Sequence, residues 1–295
     1  MRRFIPIRSA VFALPLIFIA ITSYASSLEI SHAPVPEAPP ATHLLNGQIP
    51  HSRVARGEGV IASAYLTSPT RRYAHGVLGD DIEAASLTLV LNDGKELKYE
   101  LPESRVFEDL QPRLINLDEK GTDEIVVVES DRELGASLAV YGLGKGTVEK
   151  IAATPFIGRA NRWLNPVGAG DFNGDSVMDL ALVITPHIGG ILKLYSYTPP
   201  NLTSYAQMSG VSTHSIGSTD LGMGRVVKGE PKDLILAPSQ RHNELLLLEW
   251  IDGEIVEKAR VTLPAVMGSG LEAAGPNQWT FRLKNGSHYT VRAAP

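Results

Sequence analysis

The chain has 295 residues, a formal net charge of −5 and no cysteine. That length suits one large or two small domains, and the mild acidity without any basic run excludes a nucleic-acid binder, since nothing would neutralise phosphates. The lack of cysteine excludes disulfides, thiolate metal sites, a cysteine nucleophile and an acylated-cysteine anchor.

At the start of the chain, Arg2, Arg3 and Arg8 precede an apolar stretch from about Ala10 to Ile21, and Ser23-Tyr24-Ala25 offers small residues for cleavage. This is the layout of a secretory signal peptide over residues 1–25. The apolar run is short for a spanning helix and contains Pro15, so contact with a membrane is expected only if the segment stays uncleaved. Residues 26–55 read as a proline-rich disordered linker, with His32-Ala-Pro-Val-Pro-Glu-Ala-Pro-Pro-Ala41 favouring extended polyproline II. The exported part, residues 56–295, then belongs in a periplasm, at a cell surface or outside the cell.

From about Gly59 onward the pattern is of short strands separated by turns, with no sustained helical period. Acidic residues open three apolar strands at matching places: Glu124, Asp179 and Asp233 lie 55 and 54 positions apart. A second strand follows each, and Leu87, Leu138, Leu192 and Leu245 align at steps of 51, 54 and 53. The Asp93-Gly94 and Asp252-Gly253 pairs then signal hairpins. Four strands in about 50–55 residues are the dimensions of a propeller blade, which must pack against neighbours because it cannot bury both faces alone. The expected fold is therefore all-β, a β-propeller of five blades. Four units run from about 59 to 262, and a terminal piece near 278–292 joins N-terminal strands to complete the fifth.

The stretch Asp171-Phe-Asn-Gly-Asp-Ser-Val-Met-Asp179-Leu180 places side-chain oxygens at its first, third, fifth and ninth positions: Asp171, Asn173, Asp175 and Asp179. The carbonyl of Val177 adds one more. Such spacing suits Ca²⁺, which takes six to eight oxygens in flexible geometry. The loop resembles the FG-GAP/VCBS repeats of integrin-α-like β-propellers, whose loops run Asp-x-Asn/Asp-Gly-Asp-Gly-x-x-Asp-Leu. Ser176 departs from that pattern, standing where the repeats carry a glycine for a left-handed backbone. In the preceding unit the loop Asn116-Leu-Asp118-Glu-Lys120-Gly-Thr-Asp-Glu124 has an ammonium at the fifth position, so it is expected to be metal-free and tied internally by Lys120. The following loop carries Arg225, Val227, Gly229 and Asp233 at the ligand places and does not suit calcium. One structural Ca²⁺ per chain is the expectation.

Other clusters carry weaker signals. Arg159, Arg162 and Trp163 form a candidate rim for a partner or ligand, because Arg and Trp are common interface anchors; the alternative is a tryptophan packed between blades. His75 joins this rim set, and near Asp80, Asp81 and Glu83 it also raises the option of an acid/base pair. No nucleophile elbow, zinc motif, phosphate loop or Ser/His/Asp set is present. The resemblance implies a non-enzymatic binding or scaffold module for a protein or carbohydrate outside the cytoplasm. Its competitors are a carbohydrate-active lyase or hydrolase working at a channel mouth, and a membrane-tethered cell-envelope assembly factor.

Overall fold

A computed structural model gives the structure of residues 26–36 and 43–295. The expected signal segment and the proline-rich residues 37–42 lie outside that description. Among the described residues every regular element is a β-strand, and no helix is long and apolar enough to cross a membrane.

Strand β1 (Ser27–His32) comes first, and the rest of the chain forms antiparallel meanders. The first meander is β2 (Ala55–Arg56), β3 (Ile61–Thr70), β4 (Glu83–Leu91) and β5 (Glu96–Glu100). A short β6 (Arg105–Phe107) leads to β7 (Arg113–Ile115), β8 (Glu124–Asp131), β9 (Gly135–Leu143) and β10 (Val148–Ala153). The third meander is β11 (Leu164–Gly170), β12 (Asp179–Ile184), β13 (Ile191–Thr198) and β14 (Asn201–Ser209). The fourth is β15 (Arg225–Val227), β16 (Leu234–Pro238), β17 (Glu244–Ile251) and β18 (Glu254–Thr262). Last come β19 (Glu272–Gly275), β20 (Gln278–Arg282) and β21 (His288–Ala294).

The first three meanders are joined into one 13-stranded sheet, but the joins are thin. Strands β10 and β14 meet at the single pair Ala153↔Asn201, and β6 touches β4 only at Ala84↔Phe107. Within this sheet the long ladders run inside the meanders. Their middle strands are apolar on both faces, as strands covered on both sides must be. Leu180 and Leu182 of β12 enter one core with residues of the first two meanders, while Ala181 and Val183 enter another with Ile235 and Ala237 of β16. Strand β16 repeats the division, turning Leu234 and Leu236 towards Trp279, Phe281 and Val291 of the last sheet. The outermost strands differ: β5 and β18 are largely exposed and carry Glu and Lys, a composition that discourages edge-to-edge pairing.

The hairpin signals hold. Asp252 and Gly253 both have positive φ, 48° and 96°, and connect the paired Ile251 and Glu254, the backbone that a two-residue type I′ turn requires.

The 26–55 stretch departs from the linker expectation. Ser27–His32 is a strand that pairs with β21 from Ser27↔Ala294 to His32↔Tyr289. Leu28 and Ile30 pack against the last core, and the His32 and Tyr289 rings lie 4.4 Å apart. Farther on, Ile49 is fully buried and Gln48 donates to the Ser52 carbonyl at 2.9 Å. The physical reason is long range: a six-residue alternation is too short to stand alone, and its partner lies at the other end of the sequence.

Candidate functional site

The Asp171 loop connects β11 to β12, and Asp171 is its hub. Its Oδ1 accepts hydrogen bonds from the Gly174 and Asp175 amides at 2.7 and 3.2 Å, and its Oδ2 accepts one from Ser176 at 2.8 Å. Asn173 Oδ1 accepts from the Asp175 amide at 2.9 Å, while its Nδ2 donates to Asp175 Oδ2 at 2.9 Å. Asp175 Oδ1 accepts from the amide of Val177, an exposed residue. Ser176 has φ of +65°, so the sixth position is left-handed, as the glycine of the repeat pattern implies.

Asp179 sits under this loop at the start of β12 and is fully buried. Its Oδ2 accepts a 2.6 Å hydrogen bond from the Tyr205 hydroxyl, and among the described residues its Oδ1 has no hydrogen-bond partner. Burial pushes its carboxyl up to about 6; the Tyr205 bond and the nearby Phe172 amide oppose this, and the charges of Asp175 and Asp171 add to it. The loop is also tied to its neighbour. The Asp233 amide donates to the Asp171 carbonyl at 2.7 Å, and the Asp171 amide donates to Asp233 Oδ2 at 3.1 Å. Lys228 Nζ reaches the same Oδ2 at 2.6 Å. Among the described residues no three acidic or histidine side chains converge closely enough to hold a metal ion.

The loop of the second meander is closed by its own lysine. Lys120 Nζ lies 3.3 Å from Asp118 Oδ2, and its amide donates to Asp118 Oδ1 at 2.9 Å. Glu124 accepts from the Leu117 amide at 2.7 Å, and Asn116 Oδ1 is buried without a partner.

The residues of the expected rim do not form one exposed surface: His75 and Trp163 both turn inward onto Glu108. Arg159 is exposed, and Arg162 donates to the Asn161 carbonyl at 2.9 Å. Trp163 is 2% exposed, which rules it out as a surface anchor. Its indole N–H donates to the Glu108 carbonyl at 2.9 Å, and its ring stacks on His187 with centroids 6.0 Å apart. His75 leaves the acidic run that sequence proximity suggested. Its Nδ1 meets Glu108 Oε1 at 2.5 Å, whereas Asp80 lies 3.6 Å from His51 and Asp81 pairs with Arg71.

Glu108 is thus the centre of a buried polar network that the sequence did not mark. Ser130 donates to its second carboxylate oxygen, and burial raises its pKa against the pull of His75. Glu83, also buried, is raised by desolvation and by the Glu108 charge. On the other side of Trp163, His187 Nε2 and His214 Nδ1 are 2.8 Å apart, and His214 Nε2 lies 2.9 Å from the Ser218 carbonyl. Burial pushes both imidazoles down to about 4, which leaves them neutral at pH 7. Only the aromatic and histidine content of these segments could have hinted at the cluster. Its members come from three meanders.

No protein-family model matches the chain, and no curated protein matches it, so the site is read from its own geometry.

Proposed function

We propose that the protein is an exported, calcium-stabilised binding or scaffold module for a protein or carbohydrate partner, built as a five-bladed propeller of FG-GAP/VCBS type. The carrying observation is Asp179: a buried carboxylate with a partnerless oxygen, at the last ligand place of a loop with oxygens at its first, third and fifth positions. A bound cation would offset that cost directly, because an unpaired buried charge is expensive. The residues that would hold it are Asp171, Asn173, Asp175 and Asp179 with the Val177 carbonyl. Asp171 and Asp175 would have to turn partly away from their backbone hydrogen bonds to do so. The ion would supply rigidity, since all its ligands lie in one loop.

The propeller reading is supported by four consecutive four-stranded meanders, by face-to-face cores between neighbours, and by β1 joining β19–β21 as their fourth strand. A ring of sheets has to bring its two ends together in this way. The binding reading is favoured over glycoside cleavage because the crowded carboxylates Glu83 and Glu108 are buried, whereas hydrolysis needs two carboxyl groups flanking a substrate.

Thermal unfolding in calcium, magnesium and chelator tests the proposal. A melting temperature that rises with calcium concentration and not with magnesium is expected, since a ligand bound only to the native state must stabilise it. No shift at millimolar calcium would sink the metal role.

A further inference from the structure

Where the first strands of the meanders approach one another lies a cavity of about 280 Å³. Its lining comes from five separate stretches of chain, and three arginines dominate its polar part: Arg53, Arg113 and Arg225. Like charges gathered in one concave site repel, so their retention calls for a physical reason.

Each arginine is held differently. Arg113 Nη1 is fixed by Asp109 Oδ2 at 2.7 Å and by the Gln111 carbonyl at 2.9 Å. Asp109 is fully buried and also accepts from the Leu110 and Val128 amides at 2.8 and 3.0 Å. Arg225 Nη1 donates to the Gly224 carbonyl at 2.9 Å, and its Nη2 donates to the Leu271 carbonyl. Gly222 lies flat against that guanidinium, so a Cβ there would come within 2.7 Å of Nη2. The wall is shaped to seat the group. Arg53 is exposed, and among the described residues neither Arg53 nor Arg225 has a carboxylate at ion-pair distance.

Two acids line the same cavity, Asp220 and Glu272. Asp220 is already engaged, accepting from the Gly222 amide at 3.0 Å and from the Gly270 amide. Burial lowers the pKa of Arg225; the Asp220 and Glu272 charges oppose this, and those of Arg113 and Arg53 push it further down. With Arg113 paired to Asp109 and Asp220 held by two amides, Arg53 and Arg225 are the lining cations left to meet an anion. Aliphatic side chains, Val167 and Leu221 among them, supply an apolar part of the wall.

We propose that this cavity binds a small organic carboxylate, with Arg225 and Arg53 as its recognising groups and Arg113 as a fixed positive neighbour. A guanidinium presents its donors in a planar fork that matches a carboxylate. The aliphatic wall suits a ligand with an apolar body over a bare inorganic anion. The volume lies at the small end of ligand pockets. This names a ligand class for the binding module and does not depend on the calcium loop.

The test is calorimetric titration and thermal unfolding of the protein with benzoate, acetate, benzyl alcohol and inorganic phosphate, each in calcium and in chelator. Benzoate should raise the melting temperature in a concentration-dependent way and bind more tightly than acetate or phosphate, and benzyl alcohol should do nothing. Arg225→Gln should abolish benzoate binding. Should that variant fail to fold, exposed Arg53→Gln carries the test with a loss of roughly tenfold in affinity. Absence of any carboxylate effect, phosphate binding equal to benzoate, or unchanged affinity in Arg53→Gln would each overturn the proposal. Benzoate binding in chelator with no calcium effect would leave this site standing and remove the metal loop; the reverse pattern would do the opposite.

Discussion

Loops 116–124 and 171–179 occupy the same place, each feeding a buried strand that opens with an acidic residue, yet they reach electrostatic balance by different means. In the first, Lys120 supplies the positive charge and sits on Asp118. In the second, Asp175 stands at the corresponding place, and among the described residues the negative charges are met by backbone amides, the Asn173 amide and the Tyr205 hydroxyl. The difference falls on the ninth residue. Burial raises both carboxyls, but Glu124 is hydrogen-bonded to the Leu117 amide, while Asp179, pushed up to about 6, keeps a buried oxygen without a partner among the described residues. On the proposed calcium reading, the side chain at the fifth position is where the two loops part: Lys120 supplies the positive charge in one, and a cation would supply it in the other.

The comparison breaks most sharply if the fifth positions are exchanged. Asp175→Lys should lower calcium affinity roughly a hundredfold or more, because affinity follows the charge count of the ligands, and the variant should stay folded at moderate temperature. Calcium affinity equal to wild type in a binding titration would refute the ligand assignment. The reciprocal change, Lys120→Asp, should create a second, weaker calcium site on Asn116, Asp118 and Glu124. A stoichiometry that stays at one per chain would show that the two loops differ in more than this residue.

The raised Asp179 carboxyl sharpens the contrast through pH. Its folded value of about 6 lies above its ordinary value of 3.8, so between these the native state binds more protons than the unfolded one. Its contribution to stability is present below the lower value and is lost as pH rises towards 6. Calcium must displace that proton, so affinity should fall about tenfold per pH unit below 6 and level off above it. A flat affinity between pH 5 and 7 would mean that Asp179 is no ligand. The smallest effect is expected from Ser176→Gly, which removes left-handed strain of about 1 kcal/mol and should raise the melting temperature by roughly 2–4 °C. A lower melting temperature would contradict the strain argument.

What the sequence revealed follows the range of the forces involved. The all-β character, the Asp252-Gly253 turn and the left-handed sixth position of the Asp171 loop rest on residues within a few positions of one another. Strand β1 does not, because Leu28 and Ile30 acquire an inward face only against β21. The partner of His75 was similarly hidden: Asp80 and Glu83 are its sequence neighbours, but Glu108 is brought to it by the packing of the second meander. Trp163 looked like a surface anchor because Arg and Trp are common interface anchors, and its burial is decided by the Glu108 carbonyl ahead of β7 and by His187 in the turn between β12 and β13. The arginines of the cavity, spread from 53 to 225, have no common motif to betray them.

The central claim is that one loop of the two requires a cation, and calorimetric titration of calcium into the protein at pH 7 tests it most directly. One calcium per chain is predicted, with no proton released at pH 7 and about one released near pH 5, where Asp179 begins protonated. No heat of binding, or two equivalent calcium ions, would contradict it.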